Sequence, residues 1–313
     1  MKMVKKEVLR IGHLSTMYHT NFILMGDSSF REDLNVNVKW TLFGTGPEMV
    51  KAFERKELDI GYMGLPPAII GIDRGVPIKC VAGGHIEGTI IISKKEFKNL
   101  QELNNNLFQV FNQFIGKNIG VTSKGSIHEV ILSSYLEKFD LKDKINVKYY
   151  SQAEFIALNM KNGTLDAGVG TPALAVFAST ILKSKIIVSP DKLWYFNPSY
   201  GIFFSESFSK SHRDLGKIFL KYHKEASGLL REQPELVAKR ILSNFSLTNE
   251  QYIRKVLTIS PRYCMALPKE YVESTLKFVE KLHELNYIKN KLNINNIFNF
   301  SYINEIHPEK HHY

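Results

Sequence analysis

The feature that most constrains this chain is an alternation that runs, breaks off and starts again. Val8-Leu9-Arg10-Ile11 reads as a strand, Thr16 to Met25 as a helix and Val36 to Trp40 as a strand. Glu48 to Arg55 reads as a helix, Leu58 to Tyr62 as a strand, Pro66 to Asp73 as a helix and Ile78 to Ala82 as a strand. Short β-branched runs alternating with amphipathic stretches imply a parallel sheet with helices on both faces. Thr89 to Ser93 adds one apolar strand, and the alternation then restarts. Asn118 to Val121, Ile145 to Tyr149 and Leu165 to Val169 read as strands, separated by helices at Ile127 to Phe139 and Gln152 to Lys161 and followed by Pro172 to Thr180. A second α/β unit therefore sits inside the chain.

Beyond residue 198 the pattern changes. Tyr200 to Phe204 is one strand, and most of the chain after it is helical. His212 to Glu232 carries apolar residues at 215, 218, 219, 222, 226, 229 and 230, the stripe of a helix packed on a core. Further helices are expected at Pro234 to Asn244, Asn249 to Thr258 and Lys269 to Leu285. The simplest organisation is a two-lobed α/β protein in which residues 1–93 begin lobe 1, 94–198 form lobe 2 and 199–313 return to lobe 1. Its C-terminal helices pack on that first lobe. Asn104 to Ile115 stands outside the alternation; Leu107, Val110, Phe111 and Phe114 share a helical face that either packs internally or meets another protein.

The 313 residues suffice for two cores. Apolar stretches such as Thr89 to Ile92 and Ala173 to Ala178 fall short of the roughly 20 residues of a membrane-spanning helix. The start, "MKMVKKEVLRIGHLSTMYHT", is basic, but Arg10 and His13 break its apolar run and no small-residue cleavage site comes after it, so no signal peptide is expected. That leaves a cytoplasmic chain or one whose leader lies upstream. Cys80 and Cys264 match no metal or redox spacing and read as buried free thiols. The net charge of +10, from 41 basic and 31 acidic residues, is spread over Lys5-Lys6, Lys94-Lys95 and Lys142 to Lys148. No basic block is interleaved with aromatics, so a nucleic-acid partner is not expected.

The chemistry concentrates where strands run into helices. Gly44-Thr45-Gly46-Pro47 and Gly64-Leu65-Pro66-Pro67 are two helix starts about twenty residues apart. Each offers unpaired N–H groups and a partial positive charge. Gly44 and Gly46 would let backbone approach a ligand, and Thr45 supplies a hydroxyl. Gly12 to Thr16, Thr122 to Ser126 and Gly170-Thr171-Pro172 repeat the device, divided between the two units. In open α/β sheets ligands bind beyond the carboxyl ends of the strands.

The succession "LRIGHLS", "GTGPEMVKAFERKELDIGYMGLPPAI", "TSKGSIHEVILSSYLEK" and "NGTLDAGVGTPALAVFA" resembles the substrate-binding proteins of ABC transporters for nitrate, sulfonate and taurine, the NMT1/THI5-like group. The resemblance covers roughly residues 7 to 240. It implies a type II periplasmic-binding-protein-like fold with ligand between hinged lobes, a permease and an ATPase as partners, and an extracytoplasmic place of work. Carried over by position, the ligand-binding residues are Leu14, Ser15, Thr45, Gly46, Gly64, Leu65, Ser123, Gly125, Ser126, Gly170 and Thr171. The missing leader and the extra residues 104–115 depart from the pattern.

The expected ligand is a small anion such as a sulfonate, carboxylate or nitrate-like ion, with Lys124 beside a helix start as a neutralising charge. A monomer without cofactor or metal is expected. His13, His19 and His85 read as hydrogen-bonding rather than catalytic or metal-binding groups, and Glu87 and Asp166 as acids near the cleft. Tyr18, Tyr62, Trp194 and Tyr195 are candidates for aromatic walls or for core. The ending "HPEKHHY" is metal-binding in composition without implying a functional site. The alternative is an enzyme on the same fold, a thiamine-pyrimidine synthase or a small-acid lyase; the first lacks its "HHCFC"-like run here. A regulator's effector domain would need a helix-turn-helix for which the N-terminal stretch has no room.

Overall fold

The first alternation builds strands β1 (Val8–Leu14), β2 (Asn37–Phe43), β3 (Ile60–Met63) and β4 (Ile78–Ile86). The second builds β6 (Asn118–Thr122), β7 (Asn146–Tyr150) and β8 (Ala167–Gly170), with β5 (Ile90–Ser93), β9 (Lys185–Val188) and β10 (Pro198–Ser205) around them. The structure, a computed structural model, describes residues 7–245 and 249–313. Lys5 and Lys6 lie outside the described residues.

The ten strands form two sheets, ordered β2-β1-β3-β10-β4 and β7-β6-β8-β5-β9. Each repeats one plan: three parallel strands, then an antiparallel fourth, then an edge. The antiparallel strand is in both cases the one arriving from the other lobe. β10 pairs antiparallel with β3 and β4, and β5 pairs antiparallel with β8 and β9. The sheets are therefore mixed rather than wholly parallel. A strand entering from outside has no crossover helix to return it parallel, so it inserts in the opposite sense.

The run Thr89 to Ser93, expected to close the first lobe, contributes β5 to the second sheet. The chain accordingly passes between the sheets at 87–89, ahead of 93, and returns at 189–197. β9 escapes the sequence reading although Lys185-Ile186-Ile187-Val188 has strand composition. The expected helix Thr16 to Met25 shrinks to Asn21–Leu24, and the preceding residues form a turn closed by His19 N donating to Thr16 O at 3.0 Å.

Side chains of β10 alternate between two cores, as a period of two demands. Ile202 and Phe204 join Ile11, Phe30, Phe219 and Leu220 beneath the helix Arg213–Glu232. Phe203 joins Met49, Phe53, Ile69 and Phe278 on the other face. Fully burying such side chains contributes about 1.5–3 kcal/mol each. The C-terminal helices thus cover lobe 1, and the helix Glu250–Ile259 also reaches lobe 2, where Tyr252 Oη donates to Ala173 O at 3.2 Å. In lobe 2 the helix Leu107–Asn112 turns Val110 and Phe111 inward; Phe111 stacks on Tyr135, and Phe114 stacks on Phe97 at 4.6 Å. The extra stretch is packing.

Candidate functional site

Five helices start at one cavity of about 70 Å³ between the sheets: Gly46–Glu54, Leu65–Asp73, Ile127–Lys138, Ala153–Lys161 and Pro172–Leu182. Parallel strands deliver all of them, because each strand's carboxyl end points at the cleft and its helix begins there. The starts differ in how their first turns are satisfied. Ser126 accepts from Glu129 N at 3.3 Å and Thr171 accepts from Leu174 N at 3.3 Å, so these hydroxyls serve as caps. The starts behind Thr45, Gly64 and Gln152 have no side-chain cap. Thr45 is buried in the lining, and its hydroxyl makes no hydrogen bond within the protein.

The residues named from the sequence divide accordingly. Leu14, Ser15, Thr45, Gly46, Gly64, Ser126 and Thr171 line the cavity. Leu65, Ser123, Gly125 and Gly170 do not. Leu65 is buried in the core of lobe 1, Gly125 N donates to Glu129 Oε2 at 3.0 Å, Ser123 O accepts from Ser126 N, and Gly170 ends β8. Gly44 N is likewise taken, by Glu48 Oε2 at 3.0 Å. In both helices a glutamate in the first turn satisfies the N–H ahead of the cap, which leaves for a ligand the N–H groups of Gly46 and Glu48 in one and of Ile127 and His128 in the other, Pro47 having none and Glu129 N being held by Ser126.

The glycines at these starts have a different role from the one expected. A Cβ on Gly44 would meet Ser151 O at 2.8 Å, and one on Gly64 would meet Ile127 Cβ at 3.2 Å. Gly44 and Gly64, which also line the cavity, permit the lobes to approach each other, whereas a Cβ on Gly46 would meet Pro67 Cγ of its own lobe at 2.6 Å.

The lining also holds His19 and Thr122, singled out from the sequence as a hydrogen-bonding imidazole and a loop residue, and His128, Glu154 and Ser199, which sequence reading missed. His128 stands two places beyond the Ser126 cap, so following the helix by one turn would have found it. Thr89 Oγ1 lies 3.0 Å from its Nδ1, and burial lowers its pKa to about 4. Burial also holds His19 well below the usual histidine range. His19 sits against the Tyr200 ring, 3.9 Å between centroids, with His85 and His223 in the same aromatic cluster, each lowered to about 4 by burial. His13 is lowered by burial as well. The cavity therefore presents neutral imidazoles and hydroxyls at neutral pH. Among the described residues of its lining none is lysine or arginine, and Glu154 is the one acid.

Other candidates fall elsewhere. Lys124 is exposed, its Nζ 5.3 Å from the Tyr149 ring centroid. Of the aromatic walls only Tyr18 lines the cavity; Tyr62 is fully buried in the cluster, Trp194 stacks on Phe278 at 4.0 Å, and Tyr195 is exposed. Asp166 joins β6 to Lys94, accepting from Asn118 N at 3.0 Å. Glu87 sits at the first crossing, where Arg262 Nη1 donates to Oε2 at 2.6 Å and Phe196 N to Oε1 at 3.3 Å. Its own N–H donates to Asn197 O at 2.7 Å, which ties the two crossings together.

No curated protein matches the chain. Solved structures do. The ligand-binding component of an ABC-type import system from Staphylococcus aureus, with zinc bound, is 15% identical over 97% of this chain and 100% of that one, at a TM-score of 0.80. The alkanesulfonate-binding protein SsuA from Xanthomonas axonopodis pv. citri bound to MOPS is 15% identical, covering 93% and 98%, at 0.77. The periplasmic nitrate-binding protein NrtA from Synechocystis PCC 6803 is 11% identical, covering 92% and 83%, at 0.72. At such identities the likeness establishes the fold, the two-lobed periplasmic-binding-protein architecture with its helical C-terminal region on lobe 1. The model of the NMT1-like family matches residues 2–241, well over half of the sequence, and the chain belongs to that family.

Proposed function

We propose that the protein is the solute-binding component of an ABC importer, holding a small anionic compound between its lobes and presenting it to a permease and its ATPase. The observation that carries this reading is the convergence of helix starts on one cavity, those at Thr45 and Gly64 uncapped on lobe 1 and those at Ser126 and Thr171 capped by hydroxyls on lobe 2. The first turn behind Thr45 offers the N–H groups of Gly46 and Glu48, and the one behind Gly64 offers that of Leu65, since Pro47, Pro66 and Pro67 have none; both starts add a dipole that favours negative charge. The family and the structural neighbours support the same reading. With no lysine or arginine in the lining, an oxyanion would be held by N–H groups, hydroxyls and neutral imidazoles. Sulfonates, carboxylates and nitrate-like ions suit such donors.

In this mechanism ligand binds first to one lobe and recruits the helix starts of the other, and rotation occurs at the crossings 87–89 and 189–197. The closed shape is what a permease reads, which places the protein outside the cytoplasm and requires no reaction. A monomer suffices. A second reading, a neutral polar heterocycle resting on Tyr18 and His19, is favoured by Glu154, which opposes an anion.

A thermal-shift screen of small oxyanions against neutral heterocycles separates the two. A ligand at about a hundred times its dissociation constant stabilises by roughly 2.7 kcal/mol. Stabilisation by heterocycles alone overturns the anion assignment, and turnover of any hit, seen by mass spectrometry, overturns the receptor.

A further inference from the structure

We propose that Cys264, His307 and His312 bind one divalent transition metal ion of the zinc class, at a site separate from the solute cavity. Sequence spacing does not suggest it, since 43 residues separate the cysteine from the first histidine. The fold brings them together. The stretch before Cys264 runs beside β4, with Cys264 N donating to Gly84 O at 3.3 Å and Gly83 N donating to Met265 O at 2.8 Å. His307 is set by the helix Ile303–Ile306, and Lys224 Nζ donates to Ile306 O at 2.8 Å. Tyr313 Oη bonds Cys264 O and Ala266 O, which holds the last residues against the same loop.

The sulfur-to-nitrogen spacings have the dimensions of a tetrahedral site. Cys264 Sγ lies 3.3 Å from His307 Nε2 and 3.6 Å from His312 Nδ1, and all three atoms fall within 4.8 Å of one another. Zinc–sulfur bonds of about 2.3 Å and zinc–nitrogen bonds of about 2.0–2.1 Å give tetrahedral S···N edges of roughly 3.5 Å. Ala266 N and His312 N both direct their hydrogens at Sγ, at 3.5 and 3.4 Å, which offsets part of the cost that burial sets on a thiolate. The thiol proton leaves to solvent when the metal enters. The fourth vertex falls to water, since Glu309 Oε1, 3.6 Å from His307 Nε2, is engaged by Lys224.

The site is reachable, because all three ligands line an open groove of about 880 Å³. Of the groove's basic side chains, Lys217 pairs with Glu305, Lys224 with Glu309 and Arg231 with Glu232, while Lys221 has no ion pair among the described residues. The bound ion would fasten residues 307–313 in place. His311 and Tyr313 in that stretch pack on Phe196, a residue of the return crossing.

The test uses the full chain, stripped by a chelator and titrated with Zn²⁺ by calorimetry and with Co²⁺ by absorption. Expected are one ion per chain, proton release, and a sulfur-to-cobalt charge-transfer band that disappears in Cys264→Ser. His312 is exposed, so His312→Ala keeps the fold and weakens binding at least as much as loss of an outer partner, about 10–100-fold. His311→Ala binds as the parent does. Absence of stoichiometric binding, a cobalt complex without the charge-transfer band, or loss of binding in His311→Ala each overturns the site and leaves only a histidine-rich surface.

Discussion

Gly44 and Ser151 face each other across the cleft so closely that a Cβ added to Gly44 would lie 2.8 Å from the Ser151 carbonyl oxygen. Backbone cannot yield there as a flexible side chain could. Gly44→Ala is therefore expected to keep both sheets intact and to block full approach of the lobes. Small-angle scattering with ligand present should show a larger particle than the parent, and affinity should fall. An unchanged scattering curve and affinity would mean that the contact has no part in closure.

Thr45 and Ser126 separate binding from stability. Thr45 Oγ1 has no partner inside the protein, so Thr45→Ala should leave the melting temperature unchanged. If the hydroxyl meets a charged ligand, its loss should cost roughly 1.5–3 kcal/mol of binding. Ser126 caps its helix and also accepts from Thr122 Oγ1 at 2.9 Å, so Ser126→Ala should cost about 1 kcal/mol of stability in addition. Calorimetry and urea unfolding on both variants decide; wild-type affinity in both would dismiss these residues as ligand contacts.

How far the sequence is legible depends on the range of the signal. The strand order of the two alternations, the Gly-Thr-Gly-Pro start and the helix starts after Ser126 and Thr171 are local patterns and appear where expected, whereas the expected helix Thr16 to Met25 shortens to Asn21–Leu24. The antiparallel sense of β5 and β10 is not local, because it depends on which sheet a crossing strand enters. Ser199 reaches the cavity through tertiary placement, and no spacing announces it. Lys124 shows the converse: its position at a helix start is plain from the sequence, yet its long chain leaves the cleft for the Tyr149 ring. Cys264 and His307, far apart in sequence, meet only because the last residues fold back along β4.

The crossing itself can be loosened. Glu87 is buried, and of its two partners only Arg262 carries charge. Arg262→Ala leaves that carboxylate with the Phe196 N–H alone and should destabilise by roughly 1.5–3 kcal/mol, the worth of a hydrogen bond to a charged group. Glu87→Gln in the same background should recover part of the loss, since it removes the unpaired charge. Urea unfolding of the two variants reads this directly. Equal stability of Arg262→Ala and the parent would show that water already screens the pair.

The buried histidines fix the acid limit of the protein. His85, His128 and His223 have folded pKa values of about 4, lowered by burial from an unfolded value near 6.5. Above about pH 6.5 each is neutral in both states and stability has no slope from them. As pH falls below that value the unfolded chain takes up protons while the folded one does not, until about pH 4 is reached. Stability therefore declines through this window by about 1.4 kcal/mol per pH unit for each histidine, or about 4 for the three together. Urea unfolding between about pH 7 and about pH 5 should show the decline, and His223→Gln, which keeps a donor for Gly83 O, should reduce the slope by about 1.4 kcal/mol per pH unit. A flat profile would mean that these imidazoles titrate in the folded protein as they do in the unfolded chain, and His128 would then bring positive charge to the cavity below about pH 6.5.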